Sequence, residues 1–161
     1  HMSTRSNALA DRLDEGALAL ADYASGLTDA QWNTRIPHDG RTVGVVVHHV
    51  ASVYPIEIEL AQLLAAGKPI VGVTWNVIHD MNAGHARDNA TVTKDRAIAL
   101  LRENSRAAGA AIRALDDAGL DRAAAVSLYA EATLSCQFML EDHAVRHSYH
   151  HLGSIRNALS S

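Results

Sequence analysis

Apolar residues recur at intervals of three and four through four long stretches of the chain, and turn chemistry closes each stretch. In the first, from about Ser6 to Ser25, Leu9, Leu13, Ala17 and Leu20 make the stripe of an amphipathic helix, which Gly26 ends. Thr28 with Gln31 three residues later has the form of a capping box and predicts a short helical turn before the loop NTRIPHDGR. The second stretch, TVGVVVHHVASVYPIEIELAQLLAAG, opens with β-branched residues at 43–47 that would also suit a buried strand. Its length, with Thr42 as N-cap and Gly67 just past the end, predicts a helix instead, kinked where Pro55 denies the carbonyl of Ala51 its partner. After the linker GKPIVGV a third stretch begins near Trp75 and, with Thr93 capping a continuation, runs to about Leu115 as one long broken helix. DDAGLDRAAAV connects it to a fourth helix from about Thr133 to Leu159. No internal repeat or second-domain boundary interrupts this order. The expected fold is an all-α four-helix bundle forming a single domain over residues 1–161.

Composition narrows the picture. Aromatic residues make up 4% of the chain and there are three prolines, which favours helix over sheet. A net charge of −4, from 14 Lys and Arg against 18 Asp and Glu with no run of like charge, provides no footprint for phosphate backbones or anionic lipid. Neither nucleic acid nor membrane is an expected partner. The lone Cys136 cannot form an internal disulfide, and no signal peptide or apolar stretch of membrane-spanning length is read, so a cytoplasmic protein is expected. His1-Met2 reads as the remnant of a cloning tag, which leaves nine of the ten histidines to place.

Adjacent helical residues differ by about 100° around the axis, so facing separates histidines that composition cannot. The stripe through His49 is apolar, with Val46, Val53, Ile56, Leu60 and Leu63, and predicts that His49 points inward. The stripe through His48 holds Gly44, Ser52, Pro55, Glu59 and Gln62, a solvated composition that makes His48 a surface residue. In the fourth helix Cys136, Leu140, Ala144, His147, His151 and Ile155 share one sector, whereas His150 shares a wet stripe with His143, Arg146, Gly153 and Asn157. A pair four apart on a helix presents two ring nitrogens to one ion. His49 lies about 10 Å into its helix and His151 about 12 Å from the end of its own, so antiparallel packing would bring the three rings together. Cys136 lies about 16 Å from His147 along the axis, which makes it a core residue and not a ligand. Three imidazoles with an open position form a catalytic type of divalent-metal site, for zinc or nickel.

These residues resemble the motifs of the DinB-like superfamily of four-helix-bundle metalloenzymes, which is related to the bacillithiol transferases and to the metal-binding domain of mycothiol-dependent maleylpyruvate isomerase. TVGVVVHHVA is similar to that family's helix-two motif, with its ligand position at His49, and HSYHHLGSI to its helix-four pattern, with ligand positions at His147 and His151. LTDAQWNTRIP and HDMNAGHA are similar to its connecting segments. The isomerases carry Glu where this chain has His147 and have a further C-terminal domain, so the bundle-only thiol transferases are the closer analogy.

The resemblance implies a thiol S-transferase. Its partners would be a low-molecular-weight thiol such as mycothiol or bacillithiol, an electrophile, and a second copy of the chain as a homodimer. Coordination would convert a thiol with a pKa of about 8.5 to thiolate at neutral pH. Asp80, Asn82 and His85 are candidates for orienting the cofactor or moving protons, beside the alternative that they form a solvated helix face. A metal-dependent hydrolase that activates water, and a non-enzymatic metal-binding or dimerisation module, remain open.

Overall fold

Side-chain caps set the helix starts. In the computed structural model, which describes residues 3–160, Ser3, Thr28, Thr42, Thr74 and Thr93 each accept a hydrogen bond from the backbone N–H three residues on. They open α1 (Thr4–Ser25), α2 (Asp29–Trp32), α3 (Val43–Ala65), α4 (Trp75–Asp88) and α5 (Lys94–Arg113). The capping box of Thr28 and Gln31 is complete. His1-Met2, read as a tag remnant, lies outside the described residues.

The four-helix bundle consists of α1, α3, α5 and the C-terminal helix, around a core that includes Leu13, Leu20, Val46, Val50, Tyr54, Leu101, Ile112, Leu140 and Ile155. Pro55 lies inside α3, and the Ala51 carbonyl that it frees accepts a hydrogen bond at 2.8 Å from Asn104 Nδ2 on α5. Helix α3 also meets the length and composition of a membrane span, contrary to the sequence expectation, with a mean hydropathy of 1.2 over its most apolar window. More than half of that window, 56%, is buried inside the bundle. Its buried face centres on Val46, Val47, Val50, Tyr54 and Leu64, so Ile56, expected inside, is exposed, and His49 sits at the edge of the buried face.

Three expectations are corrected. The third stretch is two helices and not one: α4 ends at a turn in which Val92 N–H reaches Asn89 O, and α4 buries no residue, because only α5 belongs to the bundle. The connection 116–126 contains a short helix, α6 (Asp117–Asp121), and a strand, β1 (Ala123–Val126), which pairs antiparallel with β2 (Ala132–Ser135). The last helix therefore starts at Cys136, capped by Ser135, with Thr133 in the hairpin.

The C-terminal helix comprises α7 (Cys136–Met139), a π-helical turn at Leu140–Val145 and α8 (Arg146–Leu159). The 19 positions from Cys136 to Ile155 would turn a regular α-helix through about 1,900°, roughly 100° past five full turns. A π turn holds one extra residue and takes up about that excess. Cys136, Leu140, Ala144, His151 and Ile155 are consequently all buried on one side.

Candidate metal centre

His49 is carried by the second turn of α3, where Gly44 admits Trp32: a Cβ on Gly44 would overlap the indole, whose Nε1 donates to Val92 O at 3.0 Å. On the facing helix, Gly16 of α1 makes the same kind of room for Ser148 and Tyr149 and lets α8 approach closely. The result brings together the three histidines singled out from the sequence. His147 Nε2 lies 3.3 Å from His49 Nε2 and 3.0 Å from His151 Nε2, with the rings edge-on at centroid distances of 4.6–5.4 Å. His49 and His151 are buried and His147 is nearly so.

Protons alone satisfy this cluster poorly. A neutral imidazole nitrogen either donates or accepts, and the single His147 Nε2 can serve both neighbours only by splitting one proton between two acceptors, a weaker three-centre bond. Protonating the rings is opposed: burial first, and then the charges of neighbouring rings and Arg41, push His49 and His151 down to about 3 and His147 down to about 2. The rings are thus neutral bases with lone pairs to share. Imidazole nitrogens about 2.0–2.1 Å from one tetrahedral zinc lie about 3.3 Å apart, close to the spacings observed.

A second pair of orphaned atoms fits the same donor set. His147 Nδ1 and Glu57 Oε1 are both buried without a hydrogen-bond partner, and they face each other at 3.7 Å. Burial pushes the Glu57 carboxyl up to about 8. With Nε2 directed at a cation, His147 carries its proton on Nδ1 and aims it at Glu57. Glu57 is not among the residues singled out from the sequence; its signal there is a carboxylate between Ile56 and Ile58, two turns beyond His49.

The surroundings include other sequence candidates. His48, expected on the surface, is half-buried: its Nδ1 lies 2.8 Å from His85 Nε2, Ser52 Oγ lies 3.3 Å from that same Nδ1, and its pKa is lowered chiefly by burial. The reason is α4, which lays His85 over both neighbours, with its ring 5.8 Å from that of His49. Asp80 is exposed, while Asn82 lines a cavity of about 300 Å³ with Asp39, Arg41 and His79. His150 is exposed, and His143 is half-buried with Nε2 at 2.9 Å from Tyr129 OH. Cys136 is a core residue whose thiol is pushed up to about 11 by burial.

The arrangement has relatives. YfiT from Bacillus subtilis, described as "a probable metal-dependent hydrolase with an unusual four-helix bundle topology", superposes with a TM-score of 0.77 at 22% identity, over 95% of this chain and 85% of that one. The mycothiol-dependent maleylpyruvate isomerase gives 0.71 at 14% identity, over 93% of this chain and 60% of the other. A protein from Exiguobacterium sibiricum 255-15 assigned to the DinB family gives 0.62 at 18%, over 99% and 93%. At these identities the likeness is one of fold. No curated protein matches the chain. The family model of the DinB superfamily matches residues 12–155, nearly the whole length, and the chain belongs to that superfamily.

Proposed function

We propose that His49, His147 and His151 hold one divalent ion, zinc or nickel, and that the chain is a metal-dependent enzyme activating a low-molecular-weight thiol for S-transfer. The observation that carries this reading is the convergence of three Nε2 atoms at 3.0 and 3.3 Å on two buried rings and one nearly buried ring, a contact that protons satisfy only through one hydrogen split between two acceptors. A divalent ion held by these three histidines would supply the Lewis acidity that brings a thiol's pKa down towards neutrality.

The chain's own residues do the rest. Glu57, 3.7 Å from His147 Nδ1, would close to accept a hydrogen bond from that N–H once Nε2 is turned to an ion, and so fix the ring's tautomer. The His48–His85 pair, with the His85 ring 5.8 Å from that of His49, takes the proton that the thiol gives up. The sulfur lone pair forms the new S–C bond and the leaving group departs from carbon with its electron pair. Support for a thiol comes from the fold shared with the mycothiol-dependent isomerase.

Hydrolysis is the second reading, favoured by the printed description of YfiT. The test is turnover of a chlorinated dinitrobenzene by metal-loaded protein with mycothiol, bacillithiol or glutathione. One thiol should support conjugation, and the activity should disappear in His151→Ala. Ester or amide hydrolysis without any thiol would move the chain to the hydrolase reading, and silence in both assays would leave a binding or dimerisation module.

A further inference from the structure

The loop between α2 and α3 holds two guanidiniums: Arg35 Nη1 donates to Gly40 O at 2.7 Å, and Arg41 is the second. His38 and Gly40 take left-handed backbone angles, φ 68 and 86, and the turn closes with Gly40 N–H on Ile36 O and Ile36 N–H on Arg41 O, each 2.9 Å. This folds Asp39 back onto Arg41: its carboxylate accepts Nε at 2.7 Å, Nη2 at 2.9 Å and the Arg41 backbone N–H at 3.1 Å. One edge of the guanidinium is therefore matched and its plane is set. The other edge is not, because Nη1 is buried and has no hydrogen-bond partner.

The charge of Arg41 bears on His49, His147 and His151, and α4 ties the loop to that cluster in space, its His85 ring lying 5.8 Å from that of His49. With Asp39 it also lines the cavity of about 300 Å³ whose far wall is α4, with His79, Asn82, Ala83 and Ala86. Buried N–H donors on a fixed cation call for an acceptor, and a planar fork with one side free suits a carboxylate. A divalent ion at the cluster would make the surroundings more positive still, and the local Asp39 is already committed.

We propose that Arg41 is an anion-recognition residue: its free Nη1 edge binds a carboxylate of a small-molecule substrate seated between the loop 36–42 and α4, beside the three histidines. The substrate class is then a small carboxylate-bearing molecule and not a neutral one. This inference rests on the reading of the three histidines as a metal site and narrows what that site acts on.

The test is calorimetric titration of malonate, malonamide and inorganic phosphate into the full chain, cobalt-loaded and metal-free, with metal content measured on each sample. Malonate should bind the loaded protein, malonamide should not, and Arg41→Gln should weaken malonate by about tenfold or more with metal content unchanged. Arg41→Lys, which keeps the charge without the fork, should recover part of the loss, and far-ultraviolet circular dichroism would show that each variant is folded. Malonate binding equally to wild type and Arg41→Gln would overturn the subsite while leaving the metal site standing. Phosphate binding more tightly than malonate would overturn the carboxylate assignment. A chain that takes up no metal sinks the proposed function on its own, and the metal-free titration still decides Arg41, since malonate binding that ignores Arg41→Gln there refutes the subsite.

Discussion

Two neighbours on α3, His48 and His49, end in clusters that differ in how many rings meet and in how deeply they lie. His48 pairs with His85 at 2.8 Å with Ser52 beside them, and one shared proton satisfies that two-ring contact. His49 enters a three-ring contact in which His147 Nε2 faces two nitrogens, and one proton can satisfy it only by being split between them. A buried histidine pair is explained by hydrogen bonding; a buried convergent triple asks for a cation. The first cluster is also half-open under α4, whereas the second lies against the bundle core.

The comparison breaks most sharply at the ligands. His147→Ala or His151→Ala should lower metal affinity by more than about 100-fold, exceeding what loss of an outer partner costs; competitive chelator titration reads this. The next effect is on acid stability of the metal-free protein. Each of the three rings has its folded pKa pushed from 6.5 to about 2 or 3, so the unfolded chain binds more protons, and stability falls as pH drops below 6.5. Glu57 has the opposite sign: its pKa raised from 4.5 to about 8 makes stability fall as pH rises through that window. Near pH 5 these four groups alone give up to three protons taken up on unfolding against one released, a slope of about 3 kcal/mol per pH unit, and His48, His85 and His143, lowered chiefly by burial, act in the same sense as the three rings. Urea denaturation between pH 5 and 8 should therefore show a maximum near pH 6.5–7, which a flat profile would contradict.

Glu57→Leu should sharpen the contrast through opposite effects on the two forms. Removal of the acceptor for His147 Nδ1 should weaken metal binding by about 10- to 100-fold. Deleting an unpaired buried carboxyl should at the same time stabilise the metal-free protein by about 1–3 kcal/mol. Glu57→Gln, which keeps an acceptor oxygen, should recover most of the metal affinity. The smallest effects belong to the other cluster: His85→Ala should lower turnover with metal retained, and His48→Ala should leave metal content unchanged. Strong metal loss in His48→Ala with none in His49→Ala would reverse the facing of the two residues.

The bundle and the three converging histidines were legible because they follow from helix periodicity and caps. Thr42, Thr93 and the Thr28–Gln31 box act locally, and the apolar sector around His147 and His151 is kept on one side with the help of the π turn. What could not be read depended on distant partners. The polar neighbours of His48 gave no sign that α4 would lay His85 on it from 37 positions away. The alanines of β1 suit a helix, and the hairpin turn places Ala130 and Glu131 at positive φ, where glycine or asparagine would have announced it. The strand is held instead by Ile70, whose N–H reaches Ala125 O and whose carbonyl accepts from Ser127 N–H. Glu57 and Arg41 were missed for the same reason: each acquires its role only when another helix or loop closes over it.

Elemental analysis of the purified protein and four single variants, after dialysis against divalent metal, puts the three-histidine centre to its most direct test. About one divalent ion per chain is expected in wild type, His48→Ala and His150→Ala, and essentially none in His49→Ala and His147→Ala. Full occupancy in His147→Ala together with loss in His150→Ala, or a wild-type chain that holds no ion at all, would contradict it.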